Sequence, residues 1–349
     1  MNSTFQFKHI PSNAIVGCEG TALTPQERDL LKDMRPLGLI LFARNIQHPE
    51  QLKALTDDFK DITLNPDALI LIDQEGGRVS RLPSEHWRIP PSPTVFAKLY
   101  EVDRLRAIEA CKINYQLIGL DLKRAGISVN CAPMLDIPQA NASTVVTDRA
   151  LGSSPDAVID LARATIEGLQ LCAVEPVIKH GPGHGRGTVD SHKALPTVDA
   201  TLDALAQWDF LPFEAFKHQS MLMTAHILYS HIDATHPGTF SKQVINDVLR
   251  KQIGFGGLIM TDDIDMHALS GSTASRAQNA LNAGCDVVLQ CSGNFADLTA
   301  LESVVSPLSG DALTRARVAA GKASTPLAHD STANEEALLN KLNTLLKTT

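Results

Sequence analysis

The stretch "ALILIDQEGG", residues 68–77, is apolar at each of its first five positions and then closes on Asp73, Gln74, Glu75 and two glycines. A strand with one wet face alternates apolar and polar side chains. An unbroken apolar run of this length suits a strand of a parallel sheet covered on both faces. Seven other stretches share the build: "AIVGCEG" (14–20), "LGLILFA" (37–43), "GISVNCAPMLDI" (126–137), "VEPVIKHGPG" (174–183), "SMLMTAHI" (220–227), "GGLIMTDD" (256–263) and "GCDVVLQC" (284–291).

Helix-patterned stretches alternate with these runs. In "TPQERDLLKDM" Thr24 is followed three residues later by Glu27, the reciprocal capping pattern of a helix start. "HPEQLKALTDDFKDI" carries Pro49 in its first turn. Residues 95–126 are long enough for more than one helix, and "SPDAVIDLARATIEGLQLC", "FLPFEAFKH", "INDVLRKQIG" and "STASRAQNALNAG" continue the alternation. Eight strand–helix units in a row predict an α/β protein, a single (β/α)8 TIM-type barrel, with room for one irregular strand or helix. The rival, a doubly wound open sheet, favours a G-x-G-x-x-G turn after an early strand, and none follows the first or second run. No low-complexity linker divides the chain. The expectation is therefore one catalytic domain over residues 1–349, with an amphipathic helical tail at about 322–349 docked on the outside. The proline-rich "LPSEHWRIPPSP" (82–93) reads as a loop insertion.

Composition narrows the function. A net charge of -8 and 5% aromatic residues argue against a nucleic-acid partner, because a phosphate backbone selects basic surfaces. No apolar run approaches the ~18 residues of a membrane span. The N-terminal segment lacks the basic and apolar regions of a secretory signal, and the six cysteines form no C-x-x-C pair. Reduced, packed thiols in a cytoplasmic protein are expected, with no membrane partner.

Barrel active sites form at the C-terminal ends of the strands. There the runs end in polar groups: Asp73 to Glu75 with Arg78 and Arg81 beyond, Asp136, Lys179 with His180, His226, and Asp262 with Asp263. Each has an ordinary reading on its own. Asp262 and Asp263 could cap a helix, "DQEGGR" could be a turn with a surface ion pair, and His226 could be a packed core or rim residue. The loop "KHGPGHGRGTVDSHKALP" (179–196) could offer histidines to a metal, but Pro182 and Gly183 stand between His180 and His184, unlike the shared helix face of H-E-x-x-H. Together the groups offer a strand-end carboxylate suited to nucleophilic attack and an Asp190-x-His192 pair suited to moving a proton near neutral pH. The glycines at 181, 183, 185 and 187 suggest a loop free to bring that pair over a substrate.

"KHGPGHGRGTVDSH", "LIDQEGGRVSRL" and "IMTDDIDM" resemble the bacterial β-N-acetylhexosaminidases of glycoside hydrolase family 3, in particular the cytosolic single-domain enzymes of cell-wall recycling. The resemblance spans roughly residues 10 to 300, and the Asp-x-His pair marks the N-acetylglucosaminidases within the family. It implies Asp262 as nucleophile, His192 as general acid/base and Asp190 as its partner. It also implies Asp73, Arg81, Arg149, Lys179 and His180 as sugar-binding residues. Asp263 receives no catalytic role, and His184 shapes the loop. Gly181 replaces a large apolar residue of many members, which should loosen the loop. The resemblance further implies a retaining hydrolase without metal or other cofactor, acting on a small carbohydrate or muropeptide, GlcNAc-1,6-anhydro-MurNAc with or without peptide; the sequence does not fix the oligomeric state, and a monomer is the expectation. Trp87 is a candidate for stacking on a sugar. Because a neutral imidazole does not repel an anionic acceptor, a β-N-acetylglucosaminide phosphorylase using the same residues is the alternative. A non-catalytic sugar-binding barrel and a metal-dependent hydrolase are the others.

Overall fold

The computed structural model describes residues 5–139, 144–191, 193–326 and 335–347. Nine strand segments make one sheet: β1 (Ser12–Val16), β2 (Pro36–Leu41), β3 (Leu69–Ile72), β4 (Val129–Asn130), β5 (Glu175–Pro176), β6 (Ile178–Gly181), β7 (Met221–Thr224), β8 (Leu258–Asp263) and β9 (Val287–Gln290). Their order is β5-β4-β3-β2-β1-β9-β8-β7-β6, parallel at every junction. The two ends of that order, β5 and β6, are successive pieces of one stretch separated only by Val177. Residues just beyond β4 seal the join: Leu135 N donates to Lys179 O at 2.6 Å, and Lys179 N donates to Pro133 O at 3.2 Å. The sheet thus returns on itself as a nearly closed (β/α)8 barrel of eight strand positions, the fifth broken in two. The doubly wound sheet is excluded by that closure.

The unbroken apolar runs follow from the two faces. Leu69 and Leu71 belong to the cluster inside the barrel, with Ile15, Leu37, Ile40, Val129, Val177, Met223, Met260 and Leu289. Their neighbours Ile70 and Ile72 belong to the larger cluster between barrel and helices, with Leu52, Leu55, Phe59 and Leu117. The register sets Leu71 beside both Ile40 and Val129, and Met223 beside Met260, so interior side chains meet in layers. Each fully buried Leu or Ile contributes about 1.5–3 kcal/mol. Every position in such a strand is therefore held apolar.

The helix starts behave as their sequences predict. Helix α1 (Pro25–Met34) is capped by Thr24, whose Oγ1 accepts from Glu27 N at 3.2 Å while Glu27 Oε2 accepts from Thr24 N at 2.7 Å. Helix α2 spans Pro49–Ile62. The long stretch divides into α3 (Pro93–Val102) and α4 (Arg104–Arg124), with Asp103 capping the second. Two elements differ from regular helices. "FLPFEAFKH" yields only the short helix Leu211–Ala215. Gln243–Gln252 winds as a π-helix.

The helix Glu335–Leu346 lies against α4. Leu342 is buried, Arg124 Nη2 pairs with Glu335 Oε2 at 2.6 Å, and Arg106 Nε donates to Leu345 O at 2.6 Å. All six cysteines are free and buried. No helix of the described residues is long and apolar enough to cross a membrane.

Candidate active site

The strand ends surround a cavity of about 320 Å³. Seven of the eight residues singled out from sequence line it: Asp73, Arg81, Arg149, Lys179, His180, Asp190 and Asp262. The eighth, His192, lies outside the described residues.

One wall is an alternating row of buried charges. Beyond β3 the chain turns tightly over Gly76 and Gly77, with Glu75 N donating to Val79 O at 2.9 Å. Gln74 holds the returning strand, its Oε1 accepting from Arg81 N at 2.7 Å. The turn brings Arg81 Nη2 to 3.4 Å from Asp73 Oδ2. Lys179, 2% exposed, then reaches from β6 to both carboxylates, 2.8 Å from Asp73 Oδ1 and 2.6 Å from Glu75 Oε1. Arg149 grips Glu75 with two bonds, Nε to Oε2 at 2.8 Å and Nη2 to Oε1 at 2.6 Å. Burial by itself would push Glu75 up. The Arg149 guanidinium and the Lys179 ammonium overcome it and hold the carboxyl well below the usual range. Asp73 is held down against burial by Lys179 and Arg81. Lys179, whose charge burial alone would disfavour, is held up by its two carboxylates. Asp73 and Glu75 are thus held in their charged form, and the ion pairs tie the wall's donors and acceptors to one another.

The floor is built from β6 and β8. The Lys179–His180 peptide is cis. His180 Nδ1 donates to Asp136 Oδ2 at 2.7 Å, which leaves Nε2 facing the cavity, 4.0 Å from Asp262 Oδ2. Asp136 is wholly buried and also accepts from His184 N at 2.6 Å. Asp262 is the penultimate residue of β8, with Oδ1 accepting from Asp263 N at 2.8 Å. Burial opposes its charge, but the His180 imidazole, the Asp263 amide and Lys179 outweigh burial and lower its pKa. Asp263 behaves oppositely. Burial, with the carboxylates of Asp265 and Asp262 beside it, raises it to about 7. Its Oδ1 accepts from Asp265 N and from Cys291 N, both at 3.0 Å. It pins the end of β8 to β9 and stabilises a turn, where sequence suggested a helix cap.

The glycine-rich loop is less free than its composition suggests. Residues 181–185 are buried. A Cβ on Gly185 would sit 1.9 Å from Ile137 O, so glycine there permits a backbone contact. Gly181 does not loosen the loop either: Leu222 and Leu249 fill the space beside it, 2.9–3.2 Å from where a Cβ would stand, and its carbonyl accepts from Ala225 N at 2.8 Å. Arg186 Nε bonds Asp209 Oδ2 at 2.7 Å, and Tyr229 OH donates to Gly183 O at 2.9 Å. His184 is buried, its pKa lowered by burial to about 4, and its Nε2 lies 3.3 Å from Ser191 Oγ. The return strand Thr197–Val198 pairs with Leu228–Tyr229. Only the part around Thr188 and Val189 is exposed before Asp190 turns back to the cavity.

Trp87 does not line the cavity. It packs against the core, with His86 edge-on at 5.8 Å. The apolar lining comes from Ile40, Phe42, Val79, Met223, Met266 and Leu289. Phe42 lies beneath two guanidinium groups, Arg44 at 4.9 Å and Arg81 at 5.4 Å. Glu75 and Asp136 are site residues that the sequence marked as run ends without giving them a role. Both were visible as polar ends of apolar runs. Nothing local showed that one would bridge two cations and the other would orient an imidazole.

The model of the glycosyl hydrolase family 3 N-terminal domain matches residues 13–323. A β-hexosaminidase of Alkalilimnicola ehrlichii is 40% identical over 79% of this chain and 80% of its own length. That of Methylococcus capsulatus is 37% identical over 85% and 87%. Among solved structures, NagZ from Neisseria gonorrhoeae in complex with N-trifluoroacetyl-D-glucosamine superposes with a TM-score of 0.86 at 30% identity, covering 97% of this chain and 99% of that one.

Proposed function

The chain belongs to glycosyl hydrolase family 3 and is a glycosidase of the β-hexosaminidase kind, and from that premise we propose a retaining exo-β-N-acetylglucosaminidase with Asp262 as its nucleophile. The observation that carries the reading is the position of Asp262: an ionised carboxylate at a strand end, on the floor of a small cavity whose wall is a row of polar groups. A volume of about 320 Å³ is at the small end for ligand pockets and favours removal of one terminal sugar. The substrate we assign is GlcNAc-1,6-anhydro-MurNAc, with or without its peptide. Binding of an N-acylated glucosamine by the Neisseria relative supports the first sugar.

In this mechanism Asp73, Arg81, Lys179 and His180 bind the sugar hydroxyls, and Arg149 holds Glu75 and hence Lys179 in place. Asp262 attacks the anomeric carbon, and the bond to the leaving oxygen breaks as His192 gives that oxygen a proton. Asp190 stabilises the imidazolium form of His192. In the second half His192 takes a proton from water, whose oxygen displaces Asp262 and releases the sugar. The two carboxylates of most glycosidases are here one carboxylate and one imidazole. General acid–base help is worth ~10²–10⁴-fold.

The test is release of nitrophenol from the aryl β-N-acetylglucosaminide and from the matching β-glucoside, each with and without phosphate. Cleavage of the acetamido sugar alone, abolished in a folded Asp262→Ala variant, is expected. His192→Ala should slow substrates with poor leaving groups far more than activated aryl ones. Turnover surviving in Asp262→Ala would remove the nucleophile assignment, and a requirement for phosphate would make the enzyme a phosphorylase.

A further inference from the structure

We propose that His226 is a positioning residue for the nucleophile, fixing the backbone of Asp263 so that the Asp262 carboxylate presents Oδ2, and not Oδ1, to the sugar. The inference rests on the reading of Asp262 as nucleophile. His226 follows β7, is fully buried, and does not line the cavity. A packing role alone would be met by an apolar side chain, yet both ring nitrogens are engaged. Nε2 lies 2.9 Å from Asp263 O, and Nδ1 lies 2.6 Å from Thr239 Oγ1.

The partners define the proton positions. A backbone carbonyl only accepts, so Nε2 carries the proton. Burial lowers the pKa of the ring and keeps it neutral, so Nδ1 carries a lone pair and accepts from the Thr239 hydroxyl. Thr239 in turn lies 2.9 Å from Thr224 Oγ1, and both threonines are wholly buried. Thr239 Oγ1 also lies 3.2 Å from Ala225 O, so its one proton is shared between that carbonyl and Nδ1, and the acceptor-only Asp263 carbonyl is what selects the Nε2–H tautomer.

Asp263 is then held at three points. Its carbonyl accepts from His226, its side chain accepts from Cys291 N at 3.0 Å, and its own N–H donates to Asp262 Oδ1 at 2.8 Å. The next carbonyl, Ile264 O, accepts from Arg276 Nη1 at 2.8 Å. The amide that engages Oδ1 therefore cannot follow the carboxylate if the side chain turns. Oδ1 stays occupied, and Oδ2 is left on the side of His180 Nε2, 4.0 Å away. Attack through a pre-set oxygen spares reorganisation when the covalent bond forms.

The test compares His226→Phe, His226→Gln and Thr239→Val on the aryl β-N-acetylglucosaminide, with folding checked by circular dichroism and thermal melting. Glutamine can still donate an N–H to Asp263 O, whereas phenylalanine cannot. For His226→Phe we expect kcat to fall about 10–100-fold with KM little changed, as for a misplacement of about 1 Å. The acid limb of the kcat/KM profile should move to higher pH, because Asp262 loses part of the donation that favours its charged form. His226→Gln should recover most of the loss, and Thr239→Val should show a smaller shift in the same direction. Should His226→Phe fail to fold, the other two variants carry the comparison. An unmoved acid limb with wild-type kcat in Thr239→Val and His226→Phe, or a folded His226→Gln variant no better than His226→Phe, overturns the proposal. Turnover persisting in Asp262→Ala would instead overturn the nucleophile reading beneath it.

Discussion

Asp262 and Asp263 are adjacent carboxylates with opposite electrostatic fates. The His180 imidazole, an amide and Lys179 keep the first ionised, while burial and two neighbouring carboxylates raise the second to about 7. A folded-state pKa above the unfolded value means stability that is complete below about pH 4 and is lost as the pH rises through about 7. Asp263→Asn removes that loss. It also keeps an oxygen that can accept from Cys291 N and Asp265 N. The variant should match the wild type near pH 4 and exceed it at pH 8 by on the order of 2 kcal/mol, after allowance for screening by cavity water. Urea denaturation at the two pH values measures this. It should also retain turnover at neutral pH, whereas Asp262→Asn should lose it. A pH-independent stability difference would show that folding does not raise the pKa of Asp263.

At the scale of elements, the loop between β6 and the return strand Thr197–Val198 joins the chemistry to the barrel. Its glycines serve contact, so they are unequal. Gly185→Ala puts a methyl group against the backbone of Ile137, with O at 1.9 Å and C at 2.4 Å, and neither can rotate away. The loop must shift, at about 1–3 kcal/mol of overpacking. Its kcat/KM should fall at least about tenfold, most for substrates with poor leaving groups, if the loop carries the proton donor. Gly181→Ala meets only the methyl ends of Leu222 and Leu249 and should lose less than about 1.5 kcal/mol. Thermal melts beside a leaving-group series separate the two, and equal behaviour would mean that backbone contact is not what holds the loop.

At the scale of the whole molecule, closure of the barrel brings distant strand ends within bonding distance. Asp73 and Lys179 stand 106 residues apart in the chain, and their ion pair spans 2.8 Å. The helix Glu335–Leu346 adds a second long-range tie, through Leu342 and the Arg124–Glu335 pair, onto α4. If barrel and tail form one cooperative unit, Leu342→Ala should lower a single unfolding transition by about 2–5 kcal/mol. Tryptophan fluorescence and loss of activity should shift together. A separate early transition with activity intact would make the tail a detachable element.

The chain by itself determined the eight strand positions, because residues buried on both faces must be apolar and few other patterns give such runs. It also marked which run ends are polar, since charged groups close five of the eight runs. Asp73, Lys179, His180 and Asp262 were legible in that way. The split of the fifth strand at Val177 was not, because Glu175 to Gly181 reads as one run. Nor was the place of Glu75 between Arg149 and Lys179, the grip of Asp136 on His180, or the bond from His226 to Asp263. The sequence also suggested freedom where the loop glycines are packed, and a sugar-stacking Trp87 where the ring rests on the core. Each of these depends on pairs far apart in the chain. Local pattern records how a residue is solvated, while its partner is chosen only when the barrel closes and charges must be matched inside it.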